Sequence, residues 1–312
     1  MSVTASFNAM TRLRTLRSRR QIASLLRKAG PEGIVLGPCL AHSSGMEVFD
    51  ARMGDKRLEL IRHLRPEAAM LCRGQFDVLE EATKRLGDGT ERVTKVAWLH
   101  TASGILVTEI PKAPDLPLQI EAGGDERAVA LAAAGRWLNS YAAPSAVSDT
   151  FGGGYWIRQR SDAAKAVSDF EDRARLEILI ETMRKARRQA RRRMVTRARC
   201  HGDFRPSRLW HEKSVVWAGG LRPDGWGAVL RDVARFLVDL ALTAPHFCSA
   251  SDKIMGLHDL DIASLLGELT LVDQCEIDEL LTYFLAVEYS GRLLVAKPQD
   301  ALLRAVIDQS IR

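Results

Sequence analysis

Hydrophobic positions change their period along this chain, and each change marks an element. From 11 to 29, Leu13, Leu16, Ile22, Leu25 and Leu26 approximate helical spacing, so an amphipathic helix is expected, closed by Gly30-Pro31. Short apolar runs follow at Ile34-Val35-Leu36, Glu47-Val48-Phe49 and Leu58 to Leu64, separated by Gly, Ser and Asp. That alternation predicts a small antiparallel meander. The helical period returns over 67–86, with Leu71, Phe76, Val78, Leu79 and Leu86 as candidate buried positions. Val93 to Leu99 and Gly104 to Ile110 read as two further strands.

Lys112-Ala113-Pro114-Asp115-Leu116-Pro117 is rich in breakers and is the best boundary in the chain. Beyond it the pattern is mostly helical, over 124–141, 161–197, 228–243, 259–271 and 276–295, with a strand-rich island at 199–220. The expected organisation is a basic helix over 1–30, a β-rich lobe over 31–111, a linker over 112–118 and a helical lobe over 119–312. The expected class is therefore α+β, with a small β-rich N-lobe and a larger, mainly helical C-lobe. No internal repeat is visible, although 184–193 is compositionally biased.

Composition narrows the class. With 312 residues, 46% hydrophobic and 27% charged, the chain suits a soluble globular protein of one large or two small domains. No apolar run reaches the roughly 18 residues that suggest a membrane span. Arg12, Arg14, Arg17, Arg19 and Arg20 precede no apolar block, which argues against a secretory signal. Cys39, Cys72, Cys200, Cys248 and Cys275 are scattered and form no C-x-x-C pair, so neither a disulfide framework nor a zinc site is expected. A reducing cytoplasm is the expected compartment. Cys200 adjoins His201, but neighbours on an extended strand face opposite sides, which speaks against a Cys/His nucleophile.

Charge adds one candidate surface. The net charge is +6, and residues 184–200 carry nine Lys/Arg without an acid. The stretch 12–28 is similarly basic. The first segment reads either as a polyanion contact or as a solvated helix face offset by Glu171, Asp172, Glu177 and Glu181. It shows no aromatic interleaving.

The chemistry concentrates at "RCHGDFRPSRLWHEKSVVWAGG", residues 199 to 220. "HGDFRPSRL" resembles the H-G-D-x-x-P-x-N-L catalytic loop of the aminoglycoside phosphotransferase and choline kinase family. "RDVARFLVDLAL" (231–242) resembles the helix that follows the family's metal-binding segment, and "AAAGRWLNSYAAP" (132–144) the helix that begins its C-terminal lobe. The resemblance implies a bilobal protein-kinase-like fold over roughly 30–295. It also implies ATP-dependent phosphoryl transfer to a small-molecule hydroxyl with Mg²⁺ as cofactor.

Carried over residue by residue, the resemblance makes Asp203 the base for the acceptor hydroxyl, His201 a brace of the loop, and Asp232 its structural anchor. It departs from the family at the metal. The ligand Asn position is Arg208, and a guanidinium cannot ligate Mg²⁺, which needs oxygen donors. The ligand Asp position falls on Gly219, or on Ala218 or Gly220 if the turn differs in length. Asp224, in the turn Arg222-Pro223-Asp224-Gly225, is the nearest substitute, and Glu212 a weaker one. Arg62 stands near the family's phosphate-binding Lys, with Glu80 or Glu81 on the next helix as its partner or, equally, as a surface charge. Leu40 to Gly45, preceded by Gly37, lies where a nucleotide-covering turn belongs. Gly152-Gly153-Gly154-Tyr155-Trp156 reads as an acceptor-site loop or as a flexible turn between helices.

Three functions follow as expectations. The first is a pseudokinase that binds or scaffolds, with Mg²⁺ binding weak or absent and Arg208 pairing with Asp203. The second is an ATP- and Mg²⁺-dependent small-molecule kinase with displaced ligands. The third is a basic adaptor that contacts nucleic acid or an acidic protein through 184–200. The acceptor or protein partner is not named by the sequence.

Overall fold

The computed structural model describes residues 3–43, 45–244 and 253–311, without side-chain surroundings for 3–14 and 253. Ser44, Cys248 and the side chains of Arg12, Leu13 and Arg14, all invoked above, lie outside the described residues. The chain divides into two compact units. One comprises Met1–Gly87 and Val93–Lys112, the other Asp88–Arg92 and Ala113–Arg312.

The first unit starts with helix α1 (Val3–Ala29), eight residues longer at its start than the apolar spacing predicts. Strands β1 (Ile34–His42), β2 (Met46–Met53) and β3 (Lys56–His63) form the expected antiparallel meander. Helix α2 (Ala68–Leu86) follows. The apolar run from Val93 divides between two sheets: β4 (Glu91–Val93) ends before β5 (Val96–His100) begins, and β6 (Ile105–Glu109) completes a five-stranded sheet ordered β1-β2-β3-β6-β5.

Strand alternation gives this sheet two differently used faces. Phe49, Ala51, Leu58, Leu60, Ile105 and Val107 lie on one, in a core closed by Ile22 and Leu26 of α1. Their side chains are nearly or wholly out of water, each burial stabilising by about 1.5–3 kcal/mol for the larger ones. The opposite face carries Glu59, Ile61 and His63, and His63 Nε2 meets Gln75 Oε1 of α2 at 3.1 Å. Helix α2 buries Cys72, Gln75, Val78, Leu79 and Ala82, so Leu71, Phe76 and Leu86 are only half-buried. The sheet-facing stripe thus keeps Val78 and Leu79 and otherwise runs through Cys72, Gln75 and Ala82, which follow the helical three–four spacing.

The second unit contains helices α3 (Leu116–Ala122), α4 (Gly124–Ala142), α5 (Gly154–Ala164), α6 (Phe170–Gln189), α7 (Val229–Thr243), α8 (Asp259–Leu266), α9 (Gln274–Leu293) and α10 (Ala301–Ser310). The long helix expected over 161–197 is instead the pair α5 and α6 followed by strand β8 (Met194–Arg199). Its break has a local cause: Asp169 caps α6 by accepting from the Asp172 N–H at 2.8 Å. Helix α8 ends at Leu266 rather than 271, and α10 was not expected. β8 lies between β7 (Val147–Thr150) and β11 (Trp226–Ala228), while β9 (Leu209–Glu212) and β10 (Val215–Ala218) form a hairpin joined by β4. Residues 253–254 and 257–258 make a small ladder, β12 and β13. Among the described residues, no helix is long and apolar enough to cross a membrane.

Candidate active site

The loop after β8 is built around one buried ring. Phe204 is wholly buried, 6.0 Å from Trp137 of α4 and 5.1 Å from Phe236 of α7 between ring centres. This plug fixes the neighbouring His201, Gly202 and Asp203. Gly202 has φ +81°, and a Cβ there would come within 2.9 Å of the Arg222 Cβ, so only glycine fits. Its N–H donates to Asp232 Oδ2 at 3.0 Å, and its carbonyl accepts from Arg235. Arg235 is itself held by Asp232 at 3.7 Å and Glu288 at 3.2 Å. Helix α7 thereby holds Gly202 on both sides, through the peptide N–H and the carbonyl of the one residue, and α9 braces Arg235 through Glu288.

His201 has no solvent exposure. Its Nδ1 accepts from the Asp203 N–H at 3.3 Å, and its carbonyl accepts from the Arg222 N–H at 3.0 Å. Burial pushes the imidazole down to about 4, with the Asp203 charge only partly offsetting it, so the ring is neutral at neutral pH. Asp232 goes the other way: burial raises it to about 6, against the pull of Arg235 and the Gly202 N–H. Cys200 is buried, its thiol pushed well up by desolvation, and is not a nucleophile.

Asp203 is paired on both oxygens. Arg205 Nε lies 2.7 Å from Oδ1 and Arg208 Nε 3.8 Å from Oδ2. The β9–β10 hairpin returns Gly219 to Arg208, whose carbonyl accepts the Gly219 N–H at 2.9 Å. The Arg208 stem lies across Gly220, where an added Cβ would sit 3.3 Å from Arg208 Nε. The two positions where the family resemblance places metal ligands are therefore adjacent here. One holds a guanidinium and the other, with Ala218 and Gly220 beside it, offers no carboxylate.

The substitutes do not restore a donor set. Asp224 is held by Arg222 through two bonds of 2.9 Å, and this pairing keeps its carboxyl below the usual range. Glu212 is exposed at the end of β9. Among the described residues, no group of three or more His, Cys, Asp or Glu is arranged to hold a metal ion. The residues around Asp203 do not fit Mg²⁺.

The glycine run is more ordered than a loop. Gly154, Tyr155 and Trp156 open α5, and Tyr283 donates its hydroxyl hydrogen to the Gly153 carbonyl. Trp156 stacks with two guanidinia, Arg160 at 5.2 Å and Arg231 at 4.3 Å. Arg231 pairs with Glu288 at 3.3 Å, the same carboxylate that holds Arg235. A chain of contacts thus runs from Trp156 to the Gly202 carbonyl.

In the first unit, Arg62 and Glu80 or Glu81 are not brought together. Arg62 donates to the Ser18 hydroxyl and to Gln21 Oε1 at 2.9 Å, on the face that α1 covers. Across the ladder from it, Glu47 is buried, accepting from Ser18 and 3.3 Å from His42 Nδ1. Helix α2, which carries Glu80 and Glu81, packs on the other face, where β3 presents Glu59, Ile61 and His63 instead of a cation. The correction is one of parity: a residue one place along a strand points to the opposite side. In the turn after β1, the Ser43 hydroxyl accepts from the N–H groups of Gly45 and Met46. Gly37 packs close, since a Cβ there would reach 2.8 Å from Asp50.

Sequence reading missed Arg205, Arg222, Arg235 and Glu288 as neighbours of the loop. Arg205 stood within the motif at one of its unspecified positions, but nothing in one sequence marks which cation will reach the loop carboxylate.

The clamped loop, helical C-terminal unit and antiparallel sheet with a helix on each face define a protein-kinase-like fold of the kind used by small-molecule kinases. Among solved structures, the chain is similar to choline kinase LicA from Streptococcus pneumoniae, with a TM-score of 0.58, 11% identity, and 94% of this chain and 98% of that one covered. It is similar to amicoumacin kinase hAmiN in complex with AMP-PNP, Ca²⁺ and Ami, with a TM-score of 0.53, 9% identity, and coverage of 95% and 96%. It is also similar to an aminoglycoside-3'-phosphotransferase of type VIII, with a TM-score of 0.50, 20% identity, and coverage of 88% and 97%. No family model and no curated protein sequence matches the chain.

Proposed function

We propose that this protein is a pseudokinase of the small-molecule kinase fold, acting by binding or scaffolding rather than by transferring phosphate. The observation that carries this reading is the pairing of Asp203 with Arg205 and Arg208, at 2.7 and 3.8 Å. A base must have a free oxygen for the acceptor hydroxyl, and here each oxygen of Asp203 faces a guanidinium, Arg205 in a close ion contact and Arg208 at an ion-pair distance longer than a hydrogen bond. Neutralising the transferring phosphoryl group is most of the catalytic task, and it falls chiefly to Mg²⁺. Arg208 at one ligand position and Gly219 at the other leave that task without oxygen donors. Arg62 is engaged with α1, which supports the same reading for the first unit.

A second reading is a kinase with displaced ligands. It is favoured by the intact frame of the loop, with Gly202 held between Asp232 and Arg235. Thermal unfolding with ATP, with and without Mg²⁺, separates the two. The pseudokinase reading predicts no Mg²⁺-dependent rise in melting temperature. A robust Mg²⁺-dependent stabilisation sinks it. Stabilisation by ATP alone would assign the phosphates to the guanidinia, and Arg208→Asn should then abolish the response.

A further inference from the structure

The basic segment 184–200 lies away from Asp203 at its start, where α5 and α6 run side by side. Arg184 Nη2 donates to the Ser161 hydroxyl at 3.4 Å, and the Arg187 guanidinium lies about one side-chain contact from Gly154, 3.5 Å from a Cβ placed there. The two helices are therefore antiparallel neighbours along the whole of α5, a length of about 16 Å at 1.5 Å per residue. Between them is an open groove of about 620 Å³, lined by Ser161, Lys165, Arg173, Glu177, Ile180 and Arg184. Past its upper end, Lys185, Arg187, Arg188, Arg191 and Arg192 are all exposed.

Local acids cancel only part of this charge. Glu181 is shared by Arg184 at 3.6 Å and Arg188 at 3.0 Å, and Asp162 holds Lys165 at 2.7 Å. These pairs are exposed, so each is weak and exchangeable for another anion. The basic segment lacks aromatic residues of its own, but the fold supplies one from α5: Tyr155 is 56% exposed at the end of the helix that Arg187 reaches. Trp156 supports it from below in an edge contact of 5.0 Å.

We propose that the α5–α6 groove and the basic end of α6 form a binding track for single-stranded nucleic acid. The cations follow the phosphates and Tyr155 stacks on a base. A concave channel with cations along its length suits a linear polyanion better than a flat anionic membrane. An exposed ring at the end of α5 that Arg187 reaches, on the basic end of the track, gives a reason to prefer nucleic acid over an acidic polypeptide, since every base has a face on which it can stack. Binding of this kind is strongly salt-dependent and tolerant of sequence.

The test is fluorescence anisotropy of the full chain with a labelled mixed-sequence single-stranded DNA at low and moderate salt. Four variants are compared, all at exposed or groove-lining positions. Lys165→Gln/Arg184→Gln/Arg188→Gln should flatten the dependence of log affinity on log salt by about 2, at roughly 0.7 per lost phosphate contact on a single strand. Tyr155→Ala should weaken binding roughly tenfold at every salt concentration without changing that slope. Lys28→Gln/Lys84→Gln/Lys95→Gln, with the same charge change in the first unit, should alter neither. A second groove-end variant, Lys185→Gln/Arg191→Gln/Arg192→Gln, repeats the slope test should the first fold poorly. The proposal is overturned by absence of binding at low salt, or by equal losses in the first-unit control. It is equally overturned if phosphatidylserine vesicles or polyglutamate compete as well as unlabelled DNA at matched charge.

Discussion

His201 and Asp232 are buried on either side of Gly202 and their pKa values are pushed in opposite senses, to about 4 and about 6. Their effects on stability therefore oppose each other as pH falls. His201 binds its proton more weakly folded than unfolded, where its value is near 6.5. Its contribution is fully present above pH 6.5 and is lost as pH drops, by about 3 kcal/mol in all and about 2 kcal/mol by pH ~5. Asp232 binds its proton more tightly folded than unfolded. Its contribution is present in acid and lost as pH rises through about 6, which makes the fold about 1 kcal/mol steadier at pH ~5 than near pH 7.5. In the native chain the two largely cancel.

Substitution separates them. Asn at either position keeps an acceptor for the bond observed, from the Asp203 N–H or the Gly202 N–H. Urea unfolding of His201→Asn, followed by tryptophan fluorescence, should show stability relative to native rising by about 2 kcal/mol between pH ~7.5 and ~5. Asp232→Asn should lose about 1 kcal/mol relative to native over the same interval. Trp137 is a suitable reporter, 5.7 Å from His201 and 6.0 Å from Phe204. Curves that stay parallel to native at both pH values would refute the reasoning, as would shifts of reversed sign. Either result would mean that water or a rearranged loop reaches these groups.

Two further predictions concern packing. A Cβ at Gly135 would lie 1.9 Å from the Leu265 carbonyl oxygen, so Gly135→Ala must push α4 and α8 apart; a loss of about 1–3 kcal/mol or more is expected in urea unfolding, and an unchanged midpoint would contradict it. Arg127 makes a buried two-bond pair with Asp261, at 2.8 and 2.7 Å, and donates to the carbonyls of Ile120 and Ala244. Arg127→Ala leaves that carboxylate buried without its cation and should cost about 3–5 kcal/mol, whereas Arg127→Ala/Asp261→Ala should recover part of the loss.

Much of the fold was legible because local rules suffice for it. The period-two runs of Ile34 to Leu64 allow little but a meander, and Gly30-Pro31 ends α1 where expected. Local rules failed where two elements of similar pattern abut. The arginine-rich stretch that reads as one helix over 161–197 holds two helices and a strand, because β8 pairs with both β7 and β11 and buries Val195 on one face and Ala198 on the other. An apolar run such as Val93 to Leu99 does not announce that its ends belong to different sheets.

The site divides in the same way. Residue identity alone determined that Arg208 and Gly219 cannot be oxygen-donor side chains for Mg²⁺, since a guanidinium and a hydrogen remain what they are in any fold. Only tertiary structure decided which arginines reach Asp203, that Asp224 is held by Arg222, and that Arg62 faces α1 instead of α2. Those outcomes depend on which face of a strand a distant helix covers and where a hairpin returns the chain. Sequence spacing fixes the side on which a residue lies relative to its neighbours, but long-range packing decides what waits there.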